Sequence, residues 1–130
     1  MTEHTIVSGM GRSGTRWLAT LFTKATPEGV WGRHEPHFTI DHDALVADLK
    51  GDIEGVAKYV TERAELSRAW ARGKNATHVI EVNSGLRHVA KELGRHLEAP
   101  VVHLVRDPRA VIASLWARQH YRDGAEGYVQ

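Results

Sequence analysis

Three glycines fall within six positions in Gly9-Met10-Gly11-Arg12-Ser13-Gly14, between the apolar run Ile6-Val7 and a segment opening Thr15-Arg16-Trp17-Leu18. Such a loop turns tightly, lets backbone approach a ligand closely and aims the free N–H groups of the following helix at an anion. The expected ligand is a phosphate. Gly9 and Gly14 fit the general phosphate-loop template G-x-x-x-x-G-K-S/T, but Thr15 and Arg16 stand where its lysine and its magnesium-binding hydroxyl belong. A cation has reappeared inside the loop as Arg12. These substitutions argue against a magnesium–triphosphate site and for a different phosphate ester.

Two further stretches carry chemistry. His34-Glu35-Pro36-His37 places a carboxylate among imidazoles just after a weak apolar run, an acid–base cluster if that run is a strand of a parallel sheet, and otherwise a polar loop whose course Pro36 fixes. Arg106-Asp107-Pro108-Arg109 follows an apolar run and opens a helix, with Asp107 as N-cap and Pro108 at the first helical position. Arg106 at a strand end can fork onto phosphate oxygens, and Ser114, two helical turns beyond Asp107, can add a hydroxyl. His88, Glu92 and His96 fall at i, i+4 and i+8 of an expected helix, a spacing that could hold a metal but is ordinarily a solvated ladder.

Taken together, Arg12-Ser13-Gly14-Thr15 and the run from Arg106 to Ser114 resemble two segments of the sulfotransferases that use 3′-phosphoadenosine 5′-phosphosulfate (PAPS). The first is similar to their 5′-phosphosulfate loop, K/R-S/T-G-S/T-S/T-x, from which Arg16 departs. The second is similar to their 3′-phosphate segment, R-D/N-P-K/R-D/A-x-x-x-S, with every fixed position filled. The resemblance implies a P-loop-type α/β fold and sulfuryl transfer from PAPS to a hydroxyl or amine acceptor. It further implies a nucleotide site built from Gly11, Arg12, Ser13, Gly14, Thr15, Arg16, Trp17, Arg106 and Ser114, with Trp17 flanking the adenine. Arg12 would face the bridging oxygen between phosphate and sulfate. One branch of the family places a basic histidine after the third strand, where Asn83 and Ser84 stand here and cannot take a proton. Other branches use a glutamate after the second strand, which makes Glu35 the expected base and His34 the runner-up. The resemblance covers the family's N-terminal nucleotide-binding core and leaves its C-terminal portion unaccounted for. Two alternatives stay open: a non-catalytic nucleotide-binding or assembly domain, and a P-loop kinase, which would want the residues that Thr15 and Arg16 replace.

The elements that must position these residues follow from periodicity. Short β-branched or apolar runs at residues 5–8, 29–33, 77–82 and 100–105 are the expected strands, the last the clearest buried one. Helices are expected at 15–24, with Leu18, Leu21 and Phe22 on one face, at 41–50, at 52–72, from Leu86 to Leu97, and after Pro108. The charges Glu62, Arg63, Glu65 and Arg68 are expected on a solvated face. With these elements the resemblance implies a three-layer α/β fold of P-loop type, with a parallel sheet in the order 2-3-1-4, and the expected organisation is a single domain over residues 1–130. Residues 120–130 turn polar and glycine-rich, without a further strand or helix pattern.

A chain of 130 residues buries roughly two-thirds of its unfolded surface, enough for one core. With 17 Lys+Arg against 16 Asp+Glu, no global field points to nucleic acid or membrane as partner, and any anion site must be local. There is no cysteine, which removes disulfides, thiolate metal sites and a cysteine nucleophile. Met1-Thr2-Glu3-His4 has no basic leader region, and no run approaches the ~18 apolar residues of a membrane span. The expected location is the cytoplasm, and the acceptor has no signature.

Overall fold

The computed structural model describes residues 1–117; the glycine-rich stretch 120–130 lies outside the described residues. Four strands, β1 (Glu3–Gly9), β2 (Val30–His34), β3 (His78–Asn83) and β4 (Val101–Leu104), form one sheet in the order β2-β3-β1-β4. All three pairings are parallel, with Ile6 opposite both Glu81 and Val101. The fold is the expected α/β arrangement. Helices α1 (Thr15–Ala25), α2 (Phe38–Leu49), α3 (Ile53–Gly73), α4 (Ala90–Leu97) and α5 (Pro108–Ala117) supply the crossovers and flanks, and none is long and apolar enough to cross a membrane.

Each face of the sheet has its own core. Leu18, Ala19 and Phe22 of α1 cover Val7, Ile80, Val82 and Leu104 on one side. On the other, Ile6 meets Val60 and Ala64 of α3 with Leu86, Val89, Leu93 and Leu97. Leu86 and Leu93 are fully buried, each contributing about 1.5–3 kcal/mol relative to exposure. At Gly32 of β2 a Cβ would lie 2.8 Å from Phe22 Cβ, 2.9 Å from Thr23 N and 3.0 Å from Ala19 O, so α1 rides directly on the strand. Gly32→Ala is therefore expected to cost about 1–3 kcal/mol by overpacking against backbone that cannot swing aside. Denaturant unfolding checks this, and an unchanged midpoint would mean that α1 lifts freely.

Three expectations need correction. First, the helix expected from Leu86 to Leu97 is broken: Gly85–His88 forms a 3₁₀ turn, and Val89 at φ −122° interrupts the helix before α4. His88 is thus out of register with Glu92 and His96 and lies 3.6 Å from Asp48 instead. Second, β4 is an edge strand among the described residues, with Val101, Val102 and the following Val105 exposed. Its apolar run signals two apolar faces but not what covers them. Third, Arg63 is wholly buried, while Glu62 and Glu65 are solvated and Arg68 is partly so.

Arg63 sits among polar partners beneath the sheet. Its Nε donates to Asp41 Oδ1 at 2.9 Å, one terminal nitrogen donates to Ser67 Oγ at 2.7 Å, and the other pairs with Glu81. Tyr59 OH also donates to Asp41 Oδ1, and Asn83 Nδ2 reaches Asp41 Oδ2 at 2.7 Å and Glu81 Oε1 at 3.0 Å. Burial, reinforced by the Asp41 charge and hydrogen bond, pushes the Tyr59 phenol well above its ordinary range, so it remains a donor. The cluster ties α2 and α3 to the carboxyl end of β3.

Candidate functional site

Parallel strands deliver their carboxyl ends to one edge, and every candidate segment lies there: the loop after β1, the turn after β2, Asn83 and Ser84 at the end of β3, and Arg106 after β4. The loop closes through a Ser13 N to Met10 O bond of 3.2 Å. Two of its residues are left-handed, Arg12 at φ 69° and Gly14 at φ 91°. At Gly14 this is the conformation glycine adopts without a steric penalty; at Arg12 it is strain that surrounding contacts must maintain. Helix α1 begins with Gly14 as N-cap and no side-chain cap, so its first-turn N–H groups are left for a ligand or solvent.

The contacts at Arg12 come from the far end of the chain. Arg12 Nε donates to Ser114 Oγ at 3.0 Å across 102 positions of sequence, and Arg106 donates to the Arg12 carbonyl at 2.8 Å. Asp107 Oδ1 accepts from Arg109 N at 2.9 Å, the N-cap bond expected of it. The two segments singled out in the sequence therefore touch, and their cations are held at the same loop. Ser13 and Thr15 are buried at its base, Gly11 is half-buried, and Arg16 and Trp17 project outward. Trp17 is 68% exposed, so core packing is not its role.

His34 and Glu35 part company at the end of β2. His34 Nε2 approaches Thr15 Oγ1 at 3.4 Å, at the long limit of a hydrogen bond, which sets the imidazole beside the loop. Glu35 turns away at φ 41°, bonds through its N–H to Val82 O at 3.2 Å, and presents its carboxylate to Ser84. Both the hydroxyl and the backbone N–H of Ser84 donate to Glu35 Oε1, the latter at 3.3 Å. Asn83 is committed to the buried Asp41–Arg63–Glu81 cluster, and its Oδ1 accepts from Gly85 N at 2.8 Å. Asn83 thus fixes the end of β3.

Ser84 and Arg33 are the neighbours that residue spacing missed. The signal for Ser84 was its place immediately beyond a strand. Arg33 had none, because it alternates with glycine and histidine in a weak strand. Its guanidinium stacks 4.0 Å above the Trp70 ring, one nitrogen is 3.4 Å from His37 Nε2, and the buried Nη1 has no hydrogen-bond partner among the described residues. Burial draws the Arg33 guanidinium below its ordinary range against the opposing pull of Glu81. His37 is lowered as well, by burial first and then by the Arg63 and Arg33 charges, which favours a neutral imidazole beside Arg33.

A depression of about 780 Å³ lies elsewhere, lined by Thr2, His4, Arg68, Arg72 and Leu97 at the amino edge of the sheet, and it shares no residue with the loop. Convergent polar chemistry, rather than concavity, locates the candidate site. Among the described residues no three His, Asp or Glu side chains gather as a metal-ligand set. Comparison of the chain with protein-family models, with curated proteins and with solved structures finds no match, so the functional reading rests on its own residues.

Proposed function

We propose that this domain binds PAPS and transfers its sulfuryl group to a hydroxyl or amine acceptor. The observation that carries the reading is the contact of Arg12 with Ser114 and Arg106, which joins a glycine-rich anion loop to a second cationic segment at one sheet edge. A nucleotide bearing phosphates on both its 5′ and 3′ sides needs two such anion sites close together. In this reading the amides of the loop and the first turn of α1, with Thr15, hold the 5′-phosphate, while Ser114 and the remaining donors of Arg106 hold the 3′-phosphate. Trp17 offers an exposed aromatic face for the base.

In the transfer step the acceptor heteroatom forms a bond to sulfur as the bond from sulfur to the bridging oxygen breaks. The electron pair stays on that oxygen, now part of adenosine 3′,5′-bisphosphate. Arg12 neutralises the growing negative charge, and Glu35 takes the acceptor proton. Both anion sites also orient the donor for in-line attack.

Titration calorimetry with adenosine 3′,5′-bisphosphate and with ATP–magnesium tests the nucleotide assignment. The bisphosphate is expected to bind and ATP–magnesium to bind weakly; the reverse order would favour a kinase. Turnover of radiolabelled PAPS with a panel of hydroxyl and amine acceptors tests the chemistry, and binding without transfer would leave a nucleotide-binding module. Ser114→Ala is expected to lower bisphosphate affinity about tenfold, the worth of one hydrogen bond to a charged group, while sparing adenosine 5′-phosphosulfate, which lacks the 3′-phosphate. Equal losses for both ligands would reduce Ser114 to a support for Arg12.

A further inference from the structure

The Glu35 carboxylate is held asymmetrically. Both Ser84 donors converge on Oε1, and Oε2 has no hydrogen-bond partner among the described residues. The main chain of Glu35 is fixed too, by the Glu35 N to Val82 O bond, in a left-handed conformation at φ 41° that a glycine would adopt with less strain. Ser84 is itself restrained: Arg87 donates to its carbonyl at 3.0 Å, and the Asn83 side chain caps Gly85 N immediately after it. Both residues are half-buried at the sheet edge that carries the loop. A strained glutamate whose carboxylate is pinned through one oxygen only is arranged to direct the other.

Resting on the sulfuryl-transfer reading above, we propose that Ser84 is a positioning residue for the general base, pinning Glu35 Oε1 so that Oε2 receives the acceptor proton. The proton leaves the acceptor hydroxyl or amine for Oε2 as the acceptor–sulfur bond forms. The sulfur–oxygen bond breaks at the same time, with its electron pair retained by the departing bisphosphate. Ser84 exchanges no proton with substrate; it removes one of the two carboxylate oxygens from competition and fixes the direction of the other. Asn83 and Ser84 thereby divide the labour at the end of β3, one anchoring the strand and the other the base.

The test is a double-mutant cycle on the full chain, with nitrophenol and water as acceptors for radiolabelled PAPS. Ser84→Ala is expected to lower kcat by about 10–100-fold, as misplacement of a reacting group does, with KM for PAPS and bisphosphate affinity unchanged. Ser84→Thr, which keeps the hydroxyl, is expected to restore most of kcat. In a Glu35→Gln background Ser84→Ala should have little further effect, because the base it serves is gone. Full activity of Ser84→Ala, or losses that multiply in the double variant, would overturn the inference while leaving the transferase reading intact. A wild-type protein that binds the bisphosphate yet transfers sulfuryl to neither of these nor to any member of the hydroxyl and amine panel would overturn both. Should Ser84→Ala fail to fold by circular dichroism, Ser84→Gly, which likewise removes the hydroxyl and keeps the backbone donor, takes its place with the same expectations.

Discussion

Glu35→Gln is expected to lower the rate of sulfuryl transfer by about 10²–10⁴-fold, the usual worth of a positioned general base, without loss of fold or of bisphosphate affinity. The amide is nearly the size of the carboxylate and can still accept from Ser84 through its oxygen, so the contact of β2 with β3 survives while the proton acceptor is lost. Steady-state kinetics beside calorimetry separates the two effects. His34 is the control, because its ring lies beside Thr15 rather than beside Ser84. If Glu35→Gln remains active and His34→Ala does not, the role passes to the imidazole.

The largest loss of stability is expected at Arg63. Arg63→Ala removes the cation between Asp41 and Glu81 and leaves two buried carboxylates without their shared partner, a change expected to cost about 3–5 kcal/mol. Against a typical domain stability of about 5–15 kcal/mol, that loss removes a large share of the margin. Urea unfolding followed by circular dichroism reads it directly. A loss below about 1 kcal/mol, the scale of an exposed ion pair, would show that water reaches the cluster.

Arg63 also marks what a close reading of the sequence could and could not extract. Val56, Val60, Arg63, Ala64, Ser67 and Ala71 follow helical spacing along one stripe of α3, so the charge stood on the core side all along. Counting it with its charged sequence neighbours hid it; asking which acids could meet it underneath would have pointed to Asp41 and Glu81. The strands were legible because each short apolar run precedes a glycine- or proline-marked turn, whereas their order was not in those runs and came from the resemblance to a P-loop-type fold. The exposure of β4 was not, since the composition of a strand is silent about its neighbours. The break at Val89 escaped because the stripe from Leu86 to Leu97 keeps its apolar phase through the 3₁₀ turn.

The candidate site divides the same way. The loop and the Arg106–Ser114 segment could be found because their residue types are uncommon in those spacings, and the structure adds that they touch. The bond between Glu35 and Ser84 could not be found, because it depends on a left-handed backbone at a glutamate and on the register that sets His34 opposite Val82. Neither leaves a trace in composition.

The placement of β1 has a consequence for the order of events during synthesis. The first strand made is one of the two interior ones, and its nearer partner in sequence is β3, with Glu3 opposite His78. Until that strand emerges from the ribosome, Ile6 and Val7 have no sheet to join, and the glycine loop has no fixed edge. Parallel pairings over such separations are slow to close and leave apolar surface exposed meanwhile. The Arg12–Ser114 bond spans 102 positions and must come later still. A nascent chain therefore acquires its glycine loop well before the contact that joins it to the Arg106–Ser114 segment, so in the proposed reading a nucleotide gripped by both would stabilise the finished sheet without guiding its early assembly.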